Sequence, residues 1–375
     1  MPNSFTTTTT MGYGTRIGKS FGSAIAGILM FFGAFGLLYW NEGRTDLSSI
    51  AKTAIELPAG AVSTDAAAQG KLVSASGVVT SAETLGDDLY LKPGKYLAVE
   101  RKAEMYAWVE TKSEKSQTNV GGSETTQTTY DYAMDWTSSP QPSSEFQYPA
   151  DHENPDVAVE SDSFVVESLT VGSYAVTGDA DLPSASALSL KKELVSLSGS
   201  AKLSGDYVFL GTGTVTAPKL GDTRVSYSVL DAGFDGTVFG KLASAKISKS
   251  VDADGNELYR VFSGSRDEAI ATLHTEFVTM GWVLRVVGFL MMWLGLAAVL
   301  GPLATLLDIL PFLGSTTRFL VLVVTFPVAF ILSAVTIIVS MILHSLIAVI
   351  VVLALVIGGL IFLAKASRKK VATAV

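Results

Sequence analysis

Residues 319–364 read FLVLVVTFPVAFILSAVTIIVSMILHSLIAVIVVLALVIGGLIFLA, 46 positions without a formal charge. As one helix this stretch would run roughly 69 Å at about 1.5 Å per residue. A hydrocarbon core is about 30 Å thick, so the run is too long for one crossing and suits two. Working outward, only Arg285, Asp308 and Arg318 carry charge in the 84 residues 281–364. The pattern predicts a span at 281–300, with Arg285 one turn inside where it can snorkel to the interface. Pro302 and Pro311 bracket a short apolar segment holding Asp308, so 301–318 is expected to be interfacial or cytoplasmic. Spans follow at 319–343, with Pro327 as a kink, and at 346–364, with His344-Ser345 between them. Lys365, Arg368, Lys369 and Lys370 make 365–375 a basic tail.

Near the other end, 20–40 is uncharged and long enough for a further span, closed by Tyr39-Trp40 as an interfacial belt. No A-x-A site precedes the polar region, which favours an uncleaved anchor over a signal peptide. Residues 1–19, with the run Thr6 to Thr10, read as a disordered tail ending in Arg16 and Lys19. Basic residues at both ends favour the cytoplasm, and four crossings satisfy that parity. The expected fold class is therefore an integral membrane α-helical protein of four spans, with a large β-rich (α+β) extracytoplasmic domain, 41–280, between spans 1 and 2.

Charge separates the same two parts. Residues 45–279 hold 18 basic and 33 acidic residues, a net charge of −15, while the remainder is +7, giving −8 for the 375-residue chain. An acidic polar domain speaks against nucleic acid as a partner, because phosphate binding needs a basic patch. The absence of cysteine excludes disulfides, thiol catalysis and Cys-ligated metal. The polar domain also lacks an Asn-x-Ser/Thr sequon. These features point to a bacterial inner membrane with a periplasmic domain rather than to endoplasmic reticulum or nuclear envelope.

Within the domain, Leu47, Ile50, Ala51, Ala54 and Ile55 keep a helical period up to Pro58. From about Lys71 to Gly264 the signals are those of strands. Residues 101–111 alternate, with Ala103, Met105, Ala107 and Val109 opposite Glu104, Tyr106, Trp108 and Glu110. Residues 129–136 alternate likewise, and Asn119-Val120-Gly121-Gly122 between them predicts a long β-hairpin. Short helices are expected at 188–193 and at 267–280. The second starts at Ser265-Arg266-Asp267-Glu268, which has capping-box spacing, and should run straight into the next span. Whether the strands form one sheet-rich domain or two subdomains stays open.

Candidate chemistry is sparse. Asp252-Ala253-Asp254-Gly255 lacks the EF-hand spacing and reads as a hairpin turn. Glu104 and Glu110 could be an acid–base pair, but paired carboxylates on a strand are usually a solvated face. His152, His274 and His344 are scattered, without metal-ligand spacing. No catalytic, cofactor-binding or metal-binding residue is expected. Asn41-Glu42-Gly43-Arg44 places opposite charges at a membrane exit, where they could pair with lipid headgroups or with another segment; a solvated helix end is preferred. Ser333, Thr336, Ser340 and His344 form a polar stripe on one face of the third span. It could line a wet path or be a packing face, and packing is preferred.

With these pieces in order, the chain resembles the LUMA, or transmembrane protein 43, family. The resemblance rests on Leu38 to Arg44, on Glu104-Met105-Tyr106-Ala107-Trp108-Val109-Glu110, and on Asn154-Pro155 with Ala158 to Ser161. It rests further on Gly221-Asp222-Thr223-Arg224-Val225-Ser226 and on Trp282-Val283-Leu284-Arg285 with Gly288 and Gly295. It implies a multispan protein of internal membranes, which in animals means endoplasmic reticulum and inner nuclear membrane. It implies self-association and a role in organising membrane protein complexes. The lamin and emerin partners of animal members do not carry over. The resulting expectation is a non-enzymatic membrane scaffold, homo-oligomeric, with the lipid bilayer and other membrane proteins as partners. The alternative is an ion channel or transporter using the polar face of span 3.

Overall fold

The computed structural model describes residues 3–58, 60 and 66–345. The expected span at 346–364 and the basic tail lie outside the described residues. The chain opens with β1 (Ser4–Met11), α1 (Tyr13–Glu42), α2 (Leu47–Lys52), β2 (Ile55–Leu57), β3 (Leu72–Thr80), β4 (Tyr96–Thr118) and β5 (Glu124–Thr137). Next come β6 (Asp162–Val165), β7 (Ser168–Val171), β8 (Tyr174–Thr177), β9 (Ser186–Ala187), β10 (Lys202–Ser204), β11 (Tyr207–Leu210) and β12 (Thr223–Asp231). The remaining strands are β13 (Phe234–Ala243), β14 (Lys246–Ser248), β15 (Ser250–Val251), β16 (Glu257–Leu258) and β17 (Arg260–Ser263). Helices α3 (Arg266–Val299), α4 (Gly301–Leu306) and α5 (Pro311–Leu343) follow.

The chain divides into two compact units. The polar unit comprises Met1–Thr7, Asp46–Lys115 and Gln127–Thr275; the helical unit comprises Thr8–Thr45, Ser116–Thr126 and Glu276–Val375.

Two main sheets build the polar unit. One runs β1-β5-β4-β12-β11-β10, with β6 also on β4 and β9 on β12; the other runs β17-β13-β14-β8-β7-β3-β2. The alternation in β4 buries Ala103, Met105 and Ala107, because successive side chains of a strand point to opposite faces. Each sheet has its own core. Val99, Val208, Val225, Tyr227 and Val229 pack under the first, and Val73, Val171, Val176, Val238 and Leu242 under the second. A third cluster sets Ala51, Ala269, Ile270 and Leu273 against Phe239 and Phe262. The capping box forms as expected: Ser265 N–H and Oγ–H donate to Glu268 Oε2 at 2.7 and 2.9 Å, and Glu268 N–H donates to Ser265 Oγ at 3.4 Å.

Three expectations change. The helix from Leu47 stops at Lys52, and Ile55–Leu57 is a strand parallel to β3. Its β-branched start and the ladder partner offered by β3 outweigh the helical period. Residues 188–193 are not helical although Leu, Lys and Glu favour helix. Leu188 N–H donates to Tyr227 O at 2.8 Å and Leu190 is buried in the first sheet's core, so tertiary pairing overrides propensity. Finally, the threonine-rich stretch taken as a free cytoplasmic tail is strand β1 and the start of α1. Threonine is β-branched and suited to strands, and β1 pairs with β5. Placing the domain and residues 1–19 on opposite membrane faces by charge and parity takes those residues as free. Ser4–Thr7 belongs to the polar unit, so the basic pair does not by itself fix the side on which that unit lies.

The stretches Tyr13–Lys52, Arg266–Ile309 and Thr316–Leu343, which lie mostly in the helical unit, contain helices long and apolar enough to cross a membrane. Ala34 and Leu38 of α1, Met292 of α3 and Ala329 of α5 make the buried core of that unit. Helices α1 and α3 meet backbone to backbone. A Cβ on Gly295 would lie 2.8 Å from Phe31 N and 2.9 Å from Gly27 O, so small residues at Gly27 and Gly295 are a condition of this approach.

Candidate functional site

The last turn of α1 ends in a carboxylate. Glu42 sits where the helix dipole is negative, so it needs a cation. Arg285 of α3 supplies it in a two-bond fork: Nε to Oε1 at 2.8 Å and Nη2 to Oε2 at 2.7 Å. The Glu42 side chain is 5 % exposed, and the guanidinium also lies over the Trp282 ring, 5.0 Å from its centroid. The fork geometry is one a lysine cannot reproduce.

The rest of the exit sequence completes a clasp between α1 and α3. Asn41 Nδ2 donates to Gly281 O at 3.2 Å and to Glu42 Oε1 at 3.1 Å. Arg44 Nη2 donates to Phe277 O at 3.1 Å, Nε donates to Asn41 Oδ1 at 3.1 Å, and the guanidinium covers the Phe277 ring. Gly43 lets α5 close the group, since a Cβ there would meet the His344 ring. That ring packs on Tyr39 at 4.4 Å, and its Nδ1 is 2.9 Å from Ser340 O. Asn41, Glu42, Gly43, Arg44, Trp282 and Arg285 are thus brought together, with His344 beside them.

A second ionic group lies at the opposite end of α1, and local sequence signals did not reveal it. Asp308, expected at an interface, is fully buried. It accepts from Arg16 Nη2 at 2.6 Å and from Arg318. Arg16, 6 % exposed, also pairs with Glu124 at 3.0 Å and donates to Gly122 O. Tyr13 O–H donates to Leu306 O at 2.9 Å, and Gly121 N–H to Ile309 O at 3.1 Å. Among the described residues Asp308 Oδ1 has no hydrogen-bond partner. The signal available in sequence was the lone acid of the apolar block, which must find a cation.

On the polar stripe of α5 the hydroxyls have these surroundings. Ser333 is buried and donates to Met292 S at 3.3 Å, Thr336 donates to Leu332 O at 2.7 Å, and Ser340 is buried.

In the polar unit, Glu104 and Glu110 serve different partners. Glu104 sits opposite Arg224 in the β4–β12 register and accepts from its Nε at 2.8 Å. Burial pushes its pKa up, but the bonds from Arg224 and Lys102 prevail and hold it below the usual glutamate value. It is therefore an anion at neutral pH, unsuited to donate a proton. Arg224 stacks over Trp136 and Tyr207, with Tyr106 against Trp136. Glu110 accepts from Tyr132 O–H and from Gln147 N–H. Burial first, then the bond to Glu110, push the Tyr132 pKa up to about 12.

Several other residues of the sequence pattern are structural fasteners. Met105 is core. Asn154 extends the ladder of β4, accepting from Trp108 N–H at 2.7 Å and donating to Trp108 O at 3.0 Å. Asp222, buried, collects the N–H groups of Thr212, Gly213 and Lys219. Asp87 is a larger fastener than a turn residue should be. It accepts from three backbone N–H groups, from Arg101 at 2.9 Å and from Tyr227 O–H at 2.6 Å. His152, in a loop, is buried among Trp108, Tyr132 and Phe5. Among the described residues no group of His, Asp and Glu could hold a metal.

The model of the family described as Transmembrane protein 43 matches residues 105–346. The chain is 27% identical to transmembrane protein 43 of Mus musculus over 325 residues, covering 80% of this chain and 79% of the mouse protein. It is 27% identical to the Drosophila melanogaster homolog over 297 residues, 72% and 75% of the two chains. It is 26% identical to the Homo sapiens protein over 325 residues, 80% and 79%. No solved structure matches it.

Proposed function

The chain belongs to the transmembrane protein 43 family, and from that premise we propose that it is a non-enzymatic membrane scaffold that self-associates and organises membrane protein complexes. One observation carries the reading. Arg16, Glu42, Arg285, Asp308 and Arg318 are spent on one another and on neighbouring segments of the helical unit. They fix α1, α3 and α5 in register. Phe32, Phe319 and Ile331 are among the apolar side chains left outward, a surface suited to lipid and to lateral contact. In the polar unit, each carboxylate weighed as a catalyst holds a structural partner. A multi-pass protein of this kind, without cysteine or sequon in its polar unit, fits a bacterial inner membrane with that unit in the periplasm.

Mass measurement of the full chain in lipid nanodiscs tests the scaffold, with a discrete oligomer expected. A monodisperse monomer at every lipid-to-protein ratio would sink it. Because the chain has no cysteine, Ser139→Cys gives a single thiol on the polar unit. An impermeant maleimide should label it from the periplasmic side in whole cells, and labelling only after the inner membrane is broken would reverse the placement.

A further inference from the structure

Sheet edges are where strands recruit partners, because one row of N–H and C=O groups is unpaired. The edges of this protein differ sharply. Strand β10 at one edge of the first sheet is three residues long and carries Lys202; β2 in the second is three residues and carries Glu56; β17 is four residues and carries Arg260. Strand β1 has eight residues, SFTTTTTM, with no charge, no proline and no glycine. None of the usual devices that protect an edge is present in it.

The direction of its free groups can be derived. Asn3 O accepts from Tyr132 N–H at 2.7 Å, so the backbone of Asn3 turns toward β5. Direction alternates along a strand, so Phe5, Thr7 and Thr9 also turn toward β5, while Ser4, Thr6, Thr8 and Thr10 turn outward. The side-chain contacts agree. Thr6 and Thr129 hydroxyls meet at 3.2 Å, and those of Thr10 and Thr125 at 3.4 Å. They share one register with Asn3–Tyr132 and occupy the non-hydrogen-bonded positions, where side chains approach most closely.

We propose that the outer edge of β1 pairs antiparallel with β1 of a second copy of this chain, about a two-fold axis at Thr7. The proposal rests on the self-association reading and names its surface. Three features select a second copy. A two-fold pairing is self-complementary, as an isologous interface requires. It sets Thr6 opposite the partner's Thr8 and Ser4 opposite the partner's Thr10, so every outward backbone group from 4 to 10 finds a partner, and threonine meets threonine, a favourable cross-strand pair. Neither copy brings a charge to repel the other. A head-to-tail joint from β1 to β10 would use only three residues of β10.

The test exploits the absence of cysteine. In the proposed pairing the two copies of Thr7 face each other at a non-hydrogen-bonded position, with Cα atoms about 4.5 Å apart, within disulfide range. Thr7→Cys in the full chain, oxidised in lipid nanodiscs, should give a covalent dimer, whereas Val120→Cys at the exposed hairpin tip should give little. Adding Thr8→Pro removes an outward N–H and leaves the β5 ladder intact, so the Thr7→Cys dimer should fall at least tenfold. An oligomer by mass in which Thr7→Cys does not cross-link overturns the edge pairing and leaves self-association standing. A cross-link indifferent to Thr8→Pro also overturns it. A monomer by mass overturns both readings.

Discussion

The two ends of α1 hold their charges differently. At Glu42 one carboxylate meets one guanidinium in a two-bond fork, and the neighbouring polar groups, Asn41 and Arg44, turn to backbone carbonyls of α3. At Asp308 one carboxylate is shared by Arg16 and Arg318, Arg16 is shared again with Glu124, and Asp308 Oδ1 is left over among the described residues. The first is a joint between two helices with its hydrogen bonds made. The second is a four-residue cluster that balances in charge but not in hydrogen bonds. A buried ion pair is no certain gain over apolar packing, yet breaking one is costly because the survivor keeps its desolvation penalty.

The largest effect should therefore come from Asp308→Ala, which removes the carboxylate shared by Arg16 and Arg318 and leaves Glu124 to face both cations. We expect a loss of about 3–5 kcal/mol in unfolding free energy, read from denaturant titration in mixed micelles. Arg16→Met/Asp308→Leu should recover most of it. A double variant no better than the single one would mean that the cluster gives more than charge balance.

The clasp should respond to geometry as well as charge. Glu42→Gln leaves Arg285 with a neutral partner and should cost about 3 kcal/mol. Arg285→Lys keeps the charge and loses the fork, so it should cost nearly as much. If Arg285→Lys is silent, the clasp is an ordinary Coulomb pair and the contrast between the two ends of α1 collapses.

The contrast also explains what could be read from sequence. The residues of the clasp stood out beside predicted spans, but their pairing did not: Asn41 to Arg44 read as a solvated helix end and Arg285 as a side chain reaching for the interface, because Glu42 and Arg285 lie 243 residues apart. The strands were legible by alternation, as in β4, and the capping box named the start of α3. Arg16 and Asp308 lie 292 residues apart, and nothing local links them. Strand β1 was misread because a threonine run looks like low complexity until a neighbouring strand exists to receive it. The burial of His152 was not legible because its aromatic enclosure comes from Phe5, Trp108 and Tyr132, three separate parts of the chain.

Asp87 carries the same chemistry in the polar unit and sharpens the comparison with a buried carboxylate whose bonds are all made. Burial raises its pKa, but bonds from Tyr227, Arg101 and the loop backbone prevail and hold it below the usual aspartate value. A depressed folded pKa gives stability that is present above the unfolded value, about 3.9, and lost as pH falls through the folded one. Melting of the polar unit, followed by circular dichroism, should be insensitive to this group from neutrality to about pH 4 and weaken below it. Asp87→Asn should lower the neutral plateau by about 1.5–3 kcal/mol and flatten the acid limb. An unchanged limb would assign acid sensitivity to other carboxylates.

The smallest effect is expected midway between the two charged ends, at Ser333. Its hydroxyl donates to Met292 S at 3.3 Å inside the contact between α3 and α5, and hydrogen bonds between membrane helices average only about 0.6 kcal/mol. Ser333→Ala should thus cost a few tenths of a kcal/mol at most and leave the oligomer's mass unchanged. The same substitution distinguishes packing from permeation. A hydroxyl lining a wet path would be missed by the ions passing it, so ion flux in vesicles that drops with Ser333→Ala would make α5 a pore wall. A protein silent in flux and barely altered in stability leaves the hydroxyl as what its surroundings dictate, a polar atom satisfied by the nearest sulfur.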